Sequence, residues 1–197
     1  MPRTSEASRT TKETSIQVRL DLDGKGVYQV ETGIPMLNHL LSQLARHGGF
    51  DLTVRAEAHD DPDGHHLTED VAIVLGRAFN EALGERKGIR RMESALLPMD
   101  DALAQAAVDL AGRGYVSLDI PFTTAEIGGL RTEMVRHFLE SFAREARITI
   151  HVRLLDGWND HHMAEAGFKA LARALRGAVS ADPLLDGQAA STKGTLD

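Results

Sequence analysis

The chain of 197 residues contains no cysteine. Disulfides and thiolate ligands are therefore excluded, and any metal it binds must use imidazole nitrogen or carboxylate oxygen. No apolar run approaches the ~18 residues of a membrane span, and Met1 to Lys12 are polar, without the apolar core of a leader segment. Cations are outnumbered, 22 Lys and Arg against 29 Asp and Glu, for a net charge of -7. With no Lys/Arg stripe, the chain is a poor match for a phosphate backbone. The expectation is a cytoplasmic protein with neither nucleic acid nor membrane as partner. Its 42% hydrophobic content is that of an ordinary globular protein, enough for one domain or two fused half-domains. Histidine is what the chain has in excess, with nine.

Those histidines repeat. His65-His66-Leu67-Thr68-Glu69 and His161-His162-Met163-Ala164-Glu165 share one pattern, and each has a histidine upstream, His39 and His137. A step of 98 carries His39 to His137, Leu41 to Leu139, Ala45 to Ala143, Arg46 to Arg144 and Val54 to Val152. After a two-residue gap a step of 96 aligns the His-His pairs, Glu69 with Glu165 and Arg77 with Arg173. The chain is thus an internal duplication that keeps three histidines and a glutamate in each copy.

Periodicity supplies the elements. Ser15 to Leu22 alternates, Asp23 to Gly26 turns, and Val27 to Val30 follows, which reads as a hairpin. A helix is predicted from Met36 to Arg46, a strand from Phe50 to Ala56, and a helix from near His66 to Leu83. In the second copy Asp100 to Leu110 fits either helix or buried strand. Tyr115 to Ile120 reads as strand, Thr132 to Glu145 as helix, Arg147 to Leu155 as strand and His161 to Val179 as helix. Strand, helix, strand, helix occurs twice, which predicts two small sheets with their helices packed between them. The division expected is a first half-repeat over 1–93, a second over 94–185 and a substrate-binding tail over 186–197.

Neighbouring helical residues point about 100° apart, so adjacent histidines cannot readily share an ion, whereas a residue four along lies on nearly the same face. His65 therefore pairs with Glu69, and His161 with Glu165. The second histidine of each pair is free to reach the centre of the opposite half. Two ligand sets result: His65, Glu69, His162 and His137; and His161, Glu165, His66 and His39. Three nitrogens and one oxygen suit manganese, zinc or iron. Taken singly, each histidine would be an ordinary surface or core residue; their repetition in register makes them ligands. Asp21-Leu22-Asp23-Gly24 matches a phosphatase nucleophile loop but reads as a turn. His59, Asp60, Asp61 and Asp63 read as a solvated loop rather than a third ion site, and His151 as structural.

With these motifs in place, the chain resembles the imidazoleglycerol-phosphate dehydratase family. Thr11 to Thr14, Thr32 to Pro35, Gln43 to Gly48, both His-His pairs, Gly84 to Ile89, Asp109 to Tyr115 and Ser191 to Gly194 carry the resemblance in order. It implies an α+β fold of two duplicated half-domains, each a four-stranded sheet with two helices, as in the second domain of ribosomal protein S5. It also implies two manganese ions and a shell of 24 subunits with active sites between them. By position it makes Glu13, His47 and Glu165 catalytic. It also places Glu13, Gln43 and His47 against the substrate and makes Arg91, Arg113, Lys169, Ser191 and Lys193 the phosphate and substrate grip, as cations and a hydroxyl suit a phosphate. The family usually has Asp where Asn38 and Gly64 stand, and Thr where Leu67 stands.

The implied reaction removes water from imidazole glycerol phosphate to give imidazole acetol phosphate in histidine biosynthesis. The proton lost sits on a carbon remote from any carbonyl, so the ring itself must be activated. Held between two ions the ring becomes an imidazolate able to expel the hydroxyl, after which a carboxylate such as Glu13 takes the carbon-bound proton. A two-metal phosphate-ester hydrolase would favour Asp-rich, bridged ions, and a metal-storage protein would have no use for Arg91, Arg113 or the Ser191 to Gly194 segment.

Overall fold

The computed structural model describes residues 3–185 and 187–196. The first half runs β1 (Thr4–Thr10), β2 (Thr14–Asp21), β3 (Tyr28–Glu31), α1 (Pro35–Gly48), β4 (Asp51–Ala58) and α2 (His65–Leu83). The second runs β5 (Met92–Met99), β6 (Ala102–Asp109), β7 (Tyr115–Asp119), the short β8 (Glu126–Ile127) and β9 (Leu130–Arg131), then α3 (Thr132–Ala146), β10 (Thr149–Asp156) and α4 (Asp160–Val179). The sheets have orders β1-β2-β4-β3 and β5-β6-β10-β7. In both, the first three strands pair antiparallel and the fourth lies parallel to the third. The duplication in sequence is thus a duplication of topology, with the β8–β9 ribbon as an insertion in the second copy.

Ser15 to Val30 is not a hairpin. β3 pairs with β4, not β2, because a parallel neighbour needs a crossover and α1 supplies it. The turn instead makes a corner, and Asp51 Oδ1 accepts the backbone N–H groups of Lys25 and Val27 at 2.8 and 2.9 Å. The true hairpins are β1–β2 and β5–β6. β1 shows no apolar alternation because its inward side chains make polar contacts: Ser5 Oγ donates to the Ala78 carbonyl at 2.7 Å and Arg9 Nε to Asp70 at 2.7 Å. β5 begins at Met92, so the expected boundary at 93–94 lies beside its first residues.

Each sheet lays one face on a helix of its own half, and the helices then meet across the duplication, α1 against α4 and α2 against α3. Leu37, Leu40, Leu41 and Leu44 of α1, and Leu171 and Leu175 of α4, are buried. Each such side chain contributes roughly 1.5–3 kcal/mol. Phe142 stacks on Phe138 and meets Phe79 edge-on with ring centroids 5.7 Å apart. At Gly76 α2 and α3 come so close that a Cβ would lie 2.7 Å from the Phe142 carbonyl oxygen. This packing across the halves fixes how the histidines of one meet those of the other.

Candidate metal centres

Both His-His pairs open a helix. At α4 the N-cap Asn159 Oδ1 accepts the N–H groups of His161 and His162 at 3.0 and 3.2 Å, a local bond that fixes the first turn. At α2 the N-cap is Gly64 at φ 73°, with no side chain to offer. Asp61 serves in its place, accepting from His66 N and Leu67 N at 3.3 and 2.8 Å, while Asp63 accepts from His65 N. The rings of each pair diverge, at 79° for His65 and His66 and 90° for His161 and His162. Adjacent histidines thus face different places, as helix geometry requires.

One cluster unites His39 of α1 with His161 and Glu165 of α4, and a second unites His65 and Glu69 of α2 with His137 of α3. Within each, the ligating atoms lie within 4.8 Å of one another. In the first, Glu165 Oε2 is 2.6 Å from His39 Nε2 and 3.3 Å from His161 Nε2. In the second, His65 and His137 stand with ring centroids 4.8 Å apart, and Glu69 Oε1 is 3.5 Å from His137 Nε2. That nitrogen is buried and makes no hydrogen bond. A buried ring nitrogen left without a partner costs free energy unless something binds it, and a cation fits this donor set of two imidazoles and a carboxylate.

His66 and His162, expected as fourth ligands, join neither cluster of the same chain. Their rings point toward the hairpin turn of their own half. His66 Nδ1 lies 3.5 Å from Glu13 and 3.7 Å from Asp61, and His162 Nδ1 is 2.5 Å from Asp101. Asp101 gave no signal in the sequence, because the β1–β2 and β5–β6 turns fall outside the register of the repeat. Bonds from the Trp158 N–H and from His162 hold its carboxyl far below the usual range.

Around the first cluster one face of α1 meets one face of α4. His47 Nε2 is 3.0 Å from Gln43 Oε1, and Lys169 Nζ donates to Glu165 Oε1 at 2.6 Å. Burial of Glu165 opposes its charge, but the hydrogen bonds of Lys169 and His39 outweigh it and hold the carboxyl at about 2. Burial and then the charge of Lys169 lower the His47 pKa, which favours the neutral imidazole. The second cluster lacks these companions: the positions matching His47 and Arg173 are Glu145 and Arg77, which pair with each other at 2.8 Å.

Arg91, Arg113, Ser191 and Lys193 line a separate cavity of about 610 Å³ under the C-terminal segment. Arg91 Nε and Nη2 grip Asp109 at 2.7 and 3.0 Å, and Nη1 donates to the Ala190 carbonyl. Asp186 and Asp197, within the expected tail, lie outside the described residues. Arg91 N bonds the Ala178 carbonyl at the far end of α4 from Glu165, roughly 20 Å away at 1.5 Å per residue. The arginine cavity and the first cluster of one chain thus lie toward opposite ends of α4.

The remaining motifs make local contacts. Asp23 pairs with Arg3 and Asp63 with Arg131. Asn38 Oδ1 accepts from Thr32 N and Oγ1, an acceptor role that a carboxylate would fill equally. Leu67 belongs to the core.

Duplicated sheets meeting through their helices, with two His/Glu clusters built across the junction, make this an α+β protein with two sites that could hold a metal ion. Residues 32–175 match the family model of imidazoleglycerol-phosphate dehydratase. The chain belongs to that family. It is 56% identical over 195 residues to the imidazoleglycerol-phosphate dehydratase of Dehalococcoides mccartyi, covering 99% of this chain and 98% of that one. With the enzyme of Granulibacter bethesdensis it shares 50% identity over the full length of both. The crystal structure of the Staphylococcus aureus enzyme superposes with a TM-score of 0.80 at 33% identity, covering 91% of this chain and 99% of the other. That of Pyrococcus furiosus gives 0.82 at 36%, covering 96% and 99%. No helix among the described residues is long and apolar enough to cross a membrane.

Proposed function

We propose that this dehydratase of histidine biosynthesis, which takes water from imidazole glycerol phosphate, works with two manganese ions, one at each His/Glu cluster. The observation that carries the reading is that each cluster draws imidazoles from both halves, as a substrate ring held between two equivalent centres requires. Zinc and iron satisfy the same donors. His66 and His162 complete the two centres from neighbouring copies of the chain, in a cytoplasmic shell of 24 subunits. Support comes from their exclusion from the clusters of their own chain, and from the distance between the first cluster and the arginine cavity.

A bound divalent cation supplies Lewis acidity toward the nitrogens of the substrate ring. The chain supplies the rest. Arg91, Arg113, Ser191 and Lys193 hold the phosphate, Arg113 as a fork, Lys193 as a point charge and Arg91 through the N–H groups that Asp109 and Ala190 leave over. Gln43, His47 and Lys169 orient the ring and the hydroxyl-bearing carbons. Glu13, half-buried on the β1–β2 turn, takes the carbon-bound proton, which balances the proton the hydroxyl needs to leave as water, and neutral His47 orients that hydroxyl by a hydrogen bond. Glu165, kept ionised, remains available as a ligand across the neutral range.

The test is to incubate the protein with manganese and imidazole glycerol phosphate and identify the product. Imidazole acetol phosphate supports the reading. Free phosphate would instead mark a two-metal hydrolase, and no product a metal-storage protein.

A further inference from the structure

His162 stands outside both clusters, yet it is the more firmly held of the two outlying histidines. Its Nδ1 lies 2.5 Å from Asp101 Oδ1, while among the described residues the carboxylate facing Nε2 is that of Asp100, at 3.6 Å. The other Asp101 oxygen accepts the backbone N–H groups of Trp158 and Asn159 at 2.8 and 3.0 Å. Both oxygens are therefore engaged, and the carboxylate cannot swing away. An ionised carboxylate only accepts hydrogen bonds, so the ring nitrogen facing it must carry the proton. The lone pair of a neutral ring then resides on Nε2, the arrangement in which a carboxylate behind a histidine directs it at a metal.

We propose that Asp101 is a positioning residue that fixes His162 in its Nδ1–H tautomer and presents Nε2 to one of the two ions. The inference rests on the reading of His162 as a ligand. It applies to one centre only, because His66 has no such bond: its nearest carboxylate oxygens are 3.5 and 3.7 Å from Nδ1. The two centres, equivalent by duplication, are thereby made unequal.

Asp101→Asn separates this role from a structural one. Its amide oxygen still accepts the Trp158 and Asn159 N–H groups, which leaves the NH₂ facing His162 Nδ1 and drives the proton to Nε2. Manganese is titrated into each metal-free variant and free ion is followed by electron paramagnetic resonance, with the unfolding midpoint measured alongside. One of the two ions is expected to bind about 10- to 100-fold more weakly, the other to be unchanged, and Asp101→Glu to recover most of the loss. His162→Asn, run in parallel, is expected to weaken the same ion. Wild-type binding by Asp101→Asn beside a weakened His162→Asn overturns the positioning role and leaves the ligand assignment standing. Wild-type binding by both overturns the assignment and the role with it. A measurement that needs no variant reads the tautomer directly: in metal-free protein carrying ¹⁵N-histidine, the His162 shifts are expected to show protonated Nδ1, and protonated Nε2 overturns the proposal.

Discussion

His39 and Glu165 are 126 residues apart in sequence, on helices of different halves, and their side chains meet at 2.6 Å. The contact exists because α1 packs on α4, and its counterpart between His137 and Glu69 exists because α3 packs on α2. Each centre therefore depends on the interface between the repeats. Neither half could form one alone.

Replacing Glu13 with Gln removes the proton acceptor without changing the size of the side chain. Turnover should fall by about 10²- to 10⁴-fold, with manganese content and substrate affinity near wild type. Steady-state kinetics with metal analysis checks this, and activity within a few-fold of wild type would remove Glu13 from its role.

Arg113→Ala should act on binding. Loss of a charge-assisted contact to phosphate is worth about 1.5–3 kcal/mol, which corresponds to a KM raised roughly 10- to 100-fold with a smaller change in kcat. An analogue lacking the phosphate should be handled equally by variant and wild type. If the variant is impaired on both, Arg113 does not read the phosphate.

Glu165 makes stability depend on pH in the metal-free protein. Its carboxyl titrates at about 2 in the folded chain against an ordinary 4.5, a depressed value. The stabilisation is complete above 4.5 and is lost as pH falls toward 2. The unfolding midpoint of wild type should thus exceed that of Glu165→Gln by most above pH 4.5, with the gap narrowing toward pH 2. A gap that stays constant contradicts the contacts of Lys169 and His39 with this carboxylate.

Phe142 is 1% exposed and wedged between Phe79 and Phe138. Truncation to Ala should cost about 3–5 kcal/mol in denaturant unfolding and loosen the α2–α3 seam that brings His137 to His65. A loss under about 1 kcal/mol would mean that the seam is not where the stability of this core resides.

Much of this was legible in the residues. All four long helices declare themselves by apolar stripes. The six side chains that gather in the two clusters follow from the i, i+4 spacing of His65 with Glu69 and of His161 with Glu165, together with the aligned His39 and His137. What escaped was set by tertiary context. β1 carries no apolar stripe because Ser5 and Arg9 satisfy its inner face with polar bonds. The supposed hairpin at Asp23 to Gly26 has ordinary turn chemistry, and only the insertion of β4 beside β2 shows that the chain crosses over. Asp101 reaches His162 from 61 residues away through a turn outside the repeat register. The direction taken by His66 and His162 follows from a helical rotation of about 100°, but no local pattern says which surface they then face.

The most direct test is anomalous scattering at the manganese edge from crystals of the loaded protein. Two peaks per chain are predicted, one beside His39, His161 and Glu165 and one beside His65, Glu69 and His137, each within reach of a further imidazole from an adjacent copy. A single peak, or peaks away from both clusters, would contradict the account of two centres built across the repeat.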